Sequence, residues 1–262
     1  MSFRFLNLFL FAAGAMLAAN QPVLRVCADP NNLPFSNQQG QGFENKLAEM
    51  LAAQLGARLK YTWWAERQSF LKNSLEAGRC DLVMGLPASL PSVATTRPYY
   101  QSTYVFVSRH DRNLHVTSLG DPRFSEWRVG VHVVGDDYAP PAAALARRGI
   151  TRNIIGFSLF GSHGAVSPAS KVIDAVANGQ IDVAIVWGPF AGYFAKQQKR
   201  ALDIVPVSPA KFLAIPFTYE IAAGVRKGDS VLLARIDEAL ADNSAGIRQI
   251  LDRYGVPQVK EE

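Results

Sequence analysis

Reactive residues are scarce in this sequence. Cysteine occurs twice, at Cys27 and Cys80, and histidine four times, at His110, His115, His132 and His163. Nothing resembles a C-x-x-C pair, and no two histidines stand at H-x-x-x-H spacing, so no metal centre is expected. The G-x-S-x-G elbow, the P-loop and the G-x-G-x-x-G turn are missing too, which removes the common hydrolase, NTPase and dinucleotide readings. Charged residues make up 19% of the chain, with a formal net charge of +5. No basic stripe carries interleaved aromatics, so nucleic acid is not expected as a partner. Long apolar runs are equally rare. One covers residues 5–19 behind Arg4, and its roughly fifteen residues fall short of the twenty or so that a membrane span needs. With Ala15, Ala18 and Ala19 at its end, residues 1–20 read as a secretory signal peptide. Met16 and Leu17 at the minus-three positions leave the cut point open, with an uncleaved anchor as the alternative.

What remains is 48% hydrophobic and follows a rhythm. Residues 23–27 form a β-type run that breaks at Asp29-Pro30-Asn31-Asn32 and returns to apolar at Phe35. Phe43, Leu47, Met50, Leu51 and Leu55 then recur at helical spacing, with Gly56 placed to stop the helix. "RLKYTWW" predicts a strand, "ERQSFLKNSLEAGR" a helix ended by Gly78, and "CDLVMGL" a third strand. Strand–helix alternation of this kind predicts a parallel sheet with helices on its faces. A second set begins at "WRVGVHVVG". It continues through a helix near 140–148, started by Pro140-Pro141, a strand near 154–157, a helix near 169–178, strand "DVAIVW", helix "FAGYFAKQQ" and strand "DIVPV". "TYEIAAGVR" and an amphipathic helical region over 230–254 close the chain. The expected fold is α/β and two-lobed, each lobe a mixed, mostly parallel sheet flanked by helices. Lobe 1 spans 21–107 plus 217–262, and lobe 2 spans 108–216. Loops at the carboxyl ends of such strands usually face a ligand crevice.

An exported chain with an even cysteine pair suggests a Cys27–Cys80 disulfide, worth about 4 kcal/mol for the loop it would close. Two buried thiols are the alternative, since the pairing depends on the register of the first and third strands.

The strings "LRVCADPNNLPFSN", "GRCDLVMGLPAS", "TTRPYYQSTYVFV" and "KVIDAVANGQIDVAIVWGPFAGYFA", in this order of elements, resemble the family 3 solute-binding proteins of the type II periplasmic binding fold. Within that family the chain is similar to the MoxJ (MxaJ/XoxJ) group, over nearly all of the mature sequence. The resemblance implies a periplasmic accessory of a pyrroloquinoline-quinone (PQQ) methanol or alcohol dehydrogenase, acting by protein contact or by binding a small apolar molecule. The alternative it leaves is a transport receptor delivering a neutral solute to an ABC permease. Neither role is enzymatic, and no cofactor is expected.

The broader family also shows what is missing. Its amino-acid binders hold the ligand carboxylate with an arginine just after the third strand. Here no arginine stands near Ser92, and Arg97 is displaced beside Pro98. Gly135-Asp136-Asp137 precedes the first helix of lobe 2, where two carboxylates either cap the helix or oppose an anion. The strand that usually supplies an acid for the ammonium group ends Trp187-Gly188-Pro189. A zwitterion therefore lacks both anchors. The expected cleft residues are the aromatics Phe35, Trp63, Trp64, Tyr99, Tyr100, Trp187 and Tyr193, with Asp29, Asn31, Asn32, Arg67, Asp136 and Asp137 as polar groups. Core burial is the other reading of the aromatics, and turn formation that of the asparagines. Glu44 reads as a first-turn carboxylate that favours the helix dipole.

Overall fold

Sixteen main elements of the computed structural model follow from this rhythm. It describes residues 21–65, 69–134, 137–159 and 167–259. The expected signal at 1–20, Arg67 and Asp136 lie outside the described residues, as does the side chain of Asp137. The first half of the chain holds β1 (Val23–Ala28), α1 (Phe43–Gln54), β2 (Arg58–Trp63), α2 (Phe70–Asn73), β3 (Leu82–Pro87) and β4 (Tyr100–Arg109). Next come β5 (Val129–Val134), α3 (Pro140–Ala146), β6 (Ile154–Ser158), α4 (Lys171–Ala177), β7 (Val183–Trp187) and α5 (Gly188–Ala195). The chain ends with β8 (Leu202–Pro206), β9 (Thr218–Val225), α6 (Ser230–Asp242) and α7 (Ser244–Tyr254).

Helix α1 forms because Phe43, Leu47, Ala48 and Leu51 share one face and are fully buried. Its start is fixed by Asn45, whose Oδ1 accepts from the amides of Gly42 and Asn37 at 3.0 Å each. The helix expected from "ERQSFLKNSLEAGR" is much shorter. Among the described residues only Phe70–Asn73 are helical, and Ser69 just before them takes a left-handed φ of 69° that no continuous helix allows. The region 230–254 is two helices broken at Asn243, whose side-chain amide donates back to the Ala239 carbonyl at 2.8 Å.

One sheet runs through both lobes in the order β6-β5-β7-β4-β9-β3-β1-β2. Pairing is parallel for β1 with β2 and β3, and for β5 with β6 and β7. Antiparallel β4 and β9 carry the chain between lobes. Residues of β4 up to Thr103 pair with β9, with Thr103 opposite Thr218. From Tyr104 onward the same strand pairs with β7 and β8 instead. The switch is stitched by Tyr104 N–H and Thr103 Oγ1, both donating to the Phe217 carbonyl at 2.8 and 3.0 Å. Separate buried clusters pack around the two halves, two in lobe 1, built on Leu47, Leu51, Leu82 and Ile236 and on Cys27, Leu75 and Cys80, and two in lobe 2 around Phe124 and Val172.

The register decides the cysteines. Cys27 of β1 lies opposite Val83 of β3, and Cys80 precedes that strand. Their Cα atoms are 5.5 Å apart and they are disulfide-bonded. Next to the bond, Arg25 and Arg226 both grip Asp81, with Arg25 Nε at 2.8 Å and Arg226 Nη2 at 3.0 Å. Burial raises the Asp81 carboxyl, but the two guanidinium groups outweigh it and hold the acid below its ordinary range.

Candidate functional site: a cleft between the lobes

A cleft of about 540 Å³ opens where the carboxyl ends of the parallel strands meet the β4–β9 crossing. Its floor on the lobe 1 side is the bend after β1. Asp29 Oδ1 accepts from the Asn31 amide at 2.7 Å, a local turn that Asp favours. Asn31 and Asn32 then pair with Asn37 and Ser36 in a small hairpin, and the Phe35 amide returns to the Asn32 carbonyl at 2.8 Å. Phe35 packs on Phe43 of its own lobe, with ring centroids 5.2 Å apart, and on Phe190 of α5 across the cleft at 5.1 Å. The two lobes therefore touch through aromatic rings in this conformation.

The opposite wall is an aromatic group at the crossing. Tyr104 and Tyr219 come from β4 and β9, and Trp187 from the end of β7. Their centroids lie 5.4, 5.8 and 6.5 Å apart, all edge-to-face. Such pairs gain beyond simple burial and hold one another's orientation. Burial pushes the phenols of Tyr104 and Tyr219 above their ordinary value, so both remain neutral donors at physiological pH.

Glu44, in the first turn of α1, lines the cleft beside Gly85. Gly85 has a φ of +75°, and a Cβ there would fall 2.1 Å from Glu44 Oε1. Only glycine fits. Its amide donates to the Tyr99 hydroxyl at 3.1 Å. Burial first, and the Glu44 charge second, push the Tyr99 and Tyr100 phenols well above their usual value. From lobe 2, His132 is almost fully buried against Phe190, 5.1 Å away, with Nε2 3.3 Å from the Ala169 carbonyl. Burial drives its imidazole down to about 4, so it faces the cleft neutral.

No arginine or lysine lines the cleft among the described residues. Arg97 is turned away, with a side chain 70% exposed and its Nε 2.7 Å from Asp237 Oδ2. No group of three His, Cys, Asp or Glu residues able to hold a metal is found among the described residues.

Of the residues singled out from sequence, Asp29, Asn31, Asn32, Phe35, Tyr100 and Trp187 line this cleft. Four others do not. Trp63 stacks on Tyr61 at 4.4 Å on β2, the edge strand, which β3 and β1 separate from the crossing. Trp64 packs by the disulfide with Arg79 over its ring at 4.5 Å. Tyr99, just before β4, packs against the lobe 1 core with its ring 5.1 Å from that of Tyr100. Tyr193 stacks on Tyr254 outside the cleft, 5.8 Å away. For Asp137 the structure gives the backbone, paired with Val134. Glu44, Tyr104, His132, Phe190 and Tyr219 were not picked out as cleft residues. Only the pairing of Thr103 with Thr218 brings Tyr104 and Tyr219 together.

Residues 24–257 match the family model of the bacterial extracellular solute-binding proteins, family 3. Protein MoxJ of Methylorubrum extorquens is 31% identical over 247 residues, 89% of this chain and 81% of that protein. The crystal structure of MxaJ from Methlophaga aminisulfidivorans MPT superposes with a TM-score of 0.78 at 27% identity, covering 90% of this chain and 100% of the other. That of the periplasmic binding protein XoxJ from Methylobacterium extorquens AM1 gives 0.75 at 33% identity, covering 91% and 100%.

Proposed function

This chain belongs to the bacterial extracellular solute-binding proteins, family 3, and from that premise we propose a periplasmic accessory of a PQQ-dependent methanol or alcohol dehydrogenase. In this reading the protein is a binder without catalysis of its own. Its lobes, 21–107 with 217–262 and 108–216, close about the β4–β9 crossing on an apolar segment of the dehydrogenase or on a small apolar molecule. Likeness to MoxJ, MxaJ and XoxJ supports the dehydrogenase system. The observation that carries the choice of ligand is the cleft lining. The Tyr104, Trp187 and Tyr219 wall faces a neutral His132, and Arg97 is held outside by Asp237. A free amino acid would lose the hydrogen bonds of its carboxylate to water there and find no guanidinium in exchange.

The test is capture of the purified dehydrogenase of the same source by the mature, oxidised protein. Replacing Trp187 and Tyr104 together by alanine weakens capture in this reading. Undiminished capture by a folded double variant removes the cleft from the interaction. A second reading, a transport receptor for a neutral solute, is favoured by the size of the cleft, which suits a small molecule. It requires a neutral solute that raises the melting temperature of the protein alone.

A further inference from the structure

On lobe 2, residues Lys211–Phe212 and Ile215–Pro216 form a two-stranded hairpin. Its tip presents Leu213, which is 68% exposed and held at a φ of +53°. A large apolar side chain in solvent and a left-handed backbone at a residue other than glycine are each unfavourable for folding. Here they coincide. The hairpin is rigidly seated, because Phe212 and Ile215 pack into the cluster that holds Leu145, and the Arg148 guanidinium lies over the Phe212 ring at 4.8 Å. Its base is tied to the cleft wall, where the Tyr219 hydroxyl donates to the Pro216 carbonyl at 3.2 Å.

Basic residues stand on the hairpin and past the end of α3. Lys211, on the hairpin, and Arg147, Arg148 and Arg152, on and after the end of α3, are all exposed. Among the described residues none of the four joins an ion pair, whereas Arg25, Arg97, Arg109, Arg123, Arg128 and Arg226 all do. Two cations at the end of α3 complement its dipole; Arg152 and Lys211 have no such role.

We propose that this hairpin tip is a docking surface for an acidic protein face with an apolar socket, Leu213 entering the socket and the four cations meeting the surrounding carboxylates. The proposal rests on the accessory role above and assigns that face to the dehydrogenase. Opposite charge at the rim steers and orients, while an apolar anchor at the centre carries affinity. A single leucine is too small to hold the protein on a bilayer, where even a full acyl chain gives marginal binding.

The experiment measures affinity between the purified dehydrogenase and the mature, oxidised protein at about 50 and about 200 mM salt, a range over which exposed charges become strongly screened. Wild type is compared with Leu213→Gly and with Arg147→Glu/Arg152→Glu. Glycine suits the left-handed backbone, so Leu213→Gly melts no lower than wild type yet binds roughly tenfold more weakly. The charge reversal weakens binding at low salt and flattens the salt dependence. Tight binding untouched by both variants overturns this docking face and leaves the accessory role standing. Absence of wild-type binding overturns both. Leu213-dependent binding to phosphatidylglycerol-containing vesicles in place of the dehydrogenase makes the tip a membrane contact and overturns the proposal as well.

Discussion

Gly192 gives the sharpest test of how the lobes are held together. It lies in α5 of lobe 2, against the carboxyl end of α7 in lobe 1. A Cβ on Gly192 would sit 1.7 Å from the Gly255 carbonyl oxygen and 2.6 Å from its carbon, where ordinary contacts begin near 3.4 Å. Both atoms are backbone, so no side chain can swing aside. Gly255 is itself constrained, with a φ of +72° and 2.9 Å between its own virtual Cβ and the Gly192 oxygen. Lys196 fastens the same contact by donating to the carbonyls of Asp252 and Arg253 at 3.0 and 3.1 Å. In a helix, Gly→Ala normally stabilises by about 1 kcal/mol. At Gly192 the overlap reverses the sign, and a cost at the upper end of overpacking, about 3 kcal/mol, is expected. For a chain of this size that lowers the melting temperature by about 6–12 °C. Gly246 in α7 provides the internal control, because its virtual Cβ meets nothing closer than Met50 Sδ at 3.8 Å. Gly246→Ala therefore melts at or above wild type. Thermal melts followed by circular dichroism compare the two. A Gly192→Ala variant within about 2 °C of wild type would refute the reasoning, since the helices would then separate at almost no cost.

Three other outcomes follow from the same geometry. The His132 imidazole, near 4 when folded and near 6.5 when unfolded, takes up its proton more readily in the unfolded chain. Stability is thus intact above pH 6.5 and declines by about 3 kcal/mol as pH falls towards 4; urea titrations across that window show the slope, and His132→Asn abolishes its share. Replacing Cys27 and Cys80 by alanine together frees a 53-residue loop and costs about 4 kcal/mol, read as a lower urea midpoint. Asp237→Asn removes an exposed ion pair with Arg97 and changes stability by less than about 1 kcal/mol; a larger loss in thermal melts means that the pair is structural.

Much of this architecture was legible in the chain because its periodicities are local. The β1–α1–β2 order, the Pro140 helix start and the bend at Asp29 each depend on residues within one turn or strand of one another. Long-range pairing was not legible. Trp63 and Trp64 end a strand just as the cleft residues do, yet β2 lies at the outer edge of the sheet. Tyr99 and Tyr100 share one core cluster with rings 5.1 Å apart, and which of them reaches the cleft follows from the pairing of Tyr100 with Ile221. Glu44 looked like a dipole-favouring carboxylate, and it does sit in the first turn of α1. Its place in the cleft comes from β3 bringing Gly85 against it, a contact no local pattern encodes.

The shared strand β4 also dictates an order of assembly. As the chain emerges amino terminus first, β1, β2 and β3 have one another as partners, and Cys80 follows Cys27 early enough to lock them. Tyr100, by contrast, waits for Ile221, and Tyr104 waits for Trp187. Until the last third of the protein arrives, the free edge of β3 and the whole of β4 display unpaired amides and carbonyls, the surface on which chains associate wrongly. Pairings so distant in sequence form slowly. The crossing shared by the two lobes thus leaves β3 and β4 without these distant partners until the last third of the chain is available.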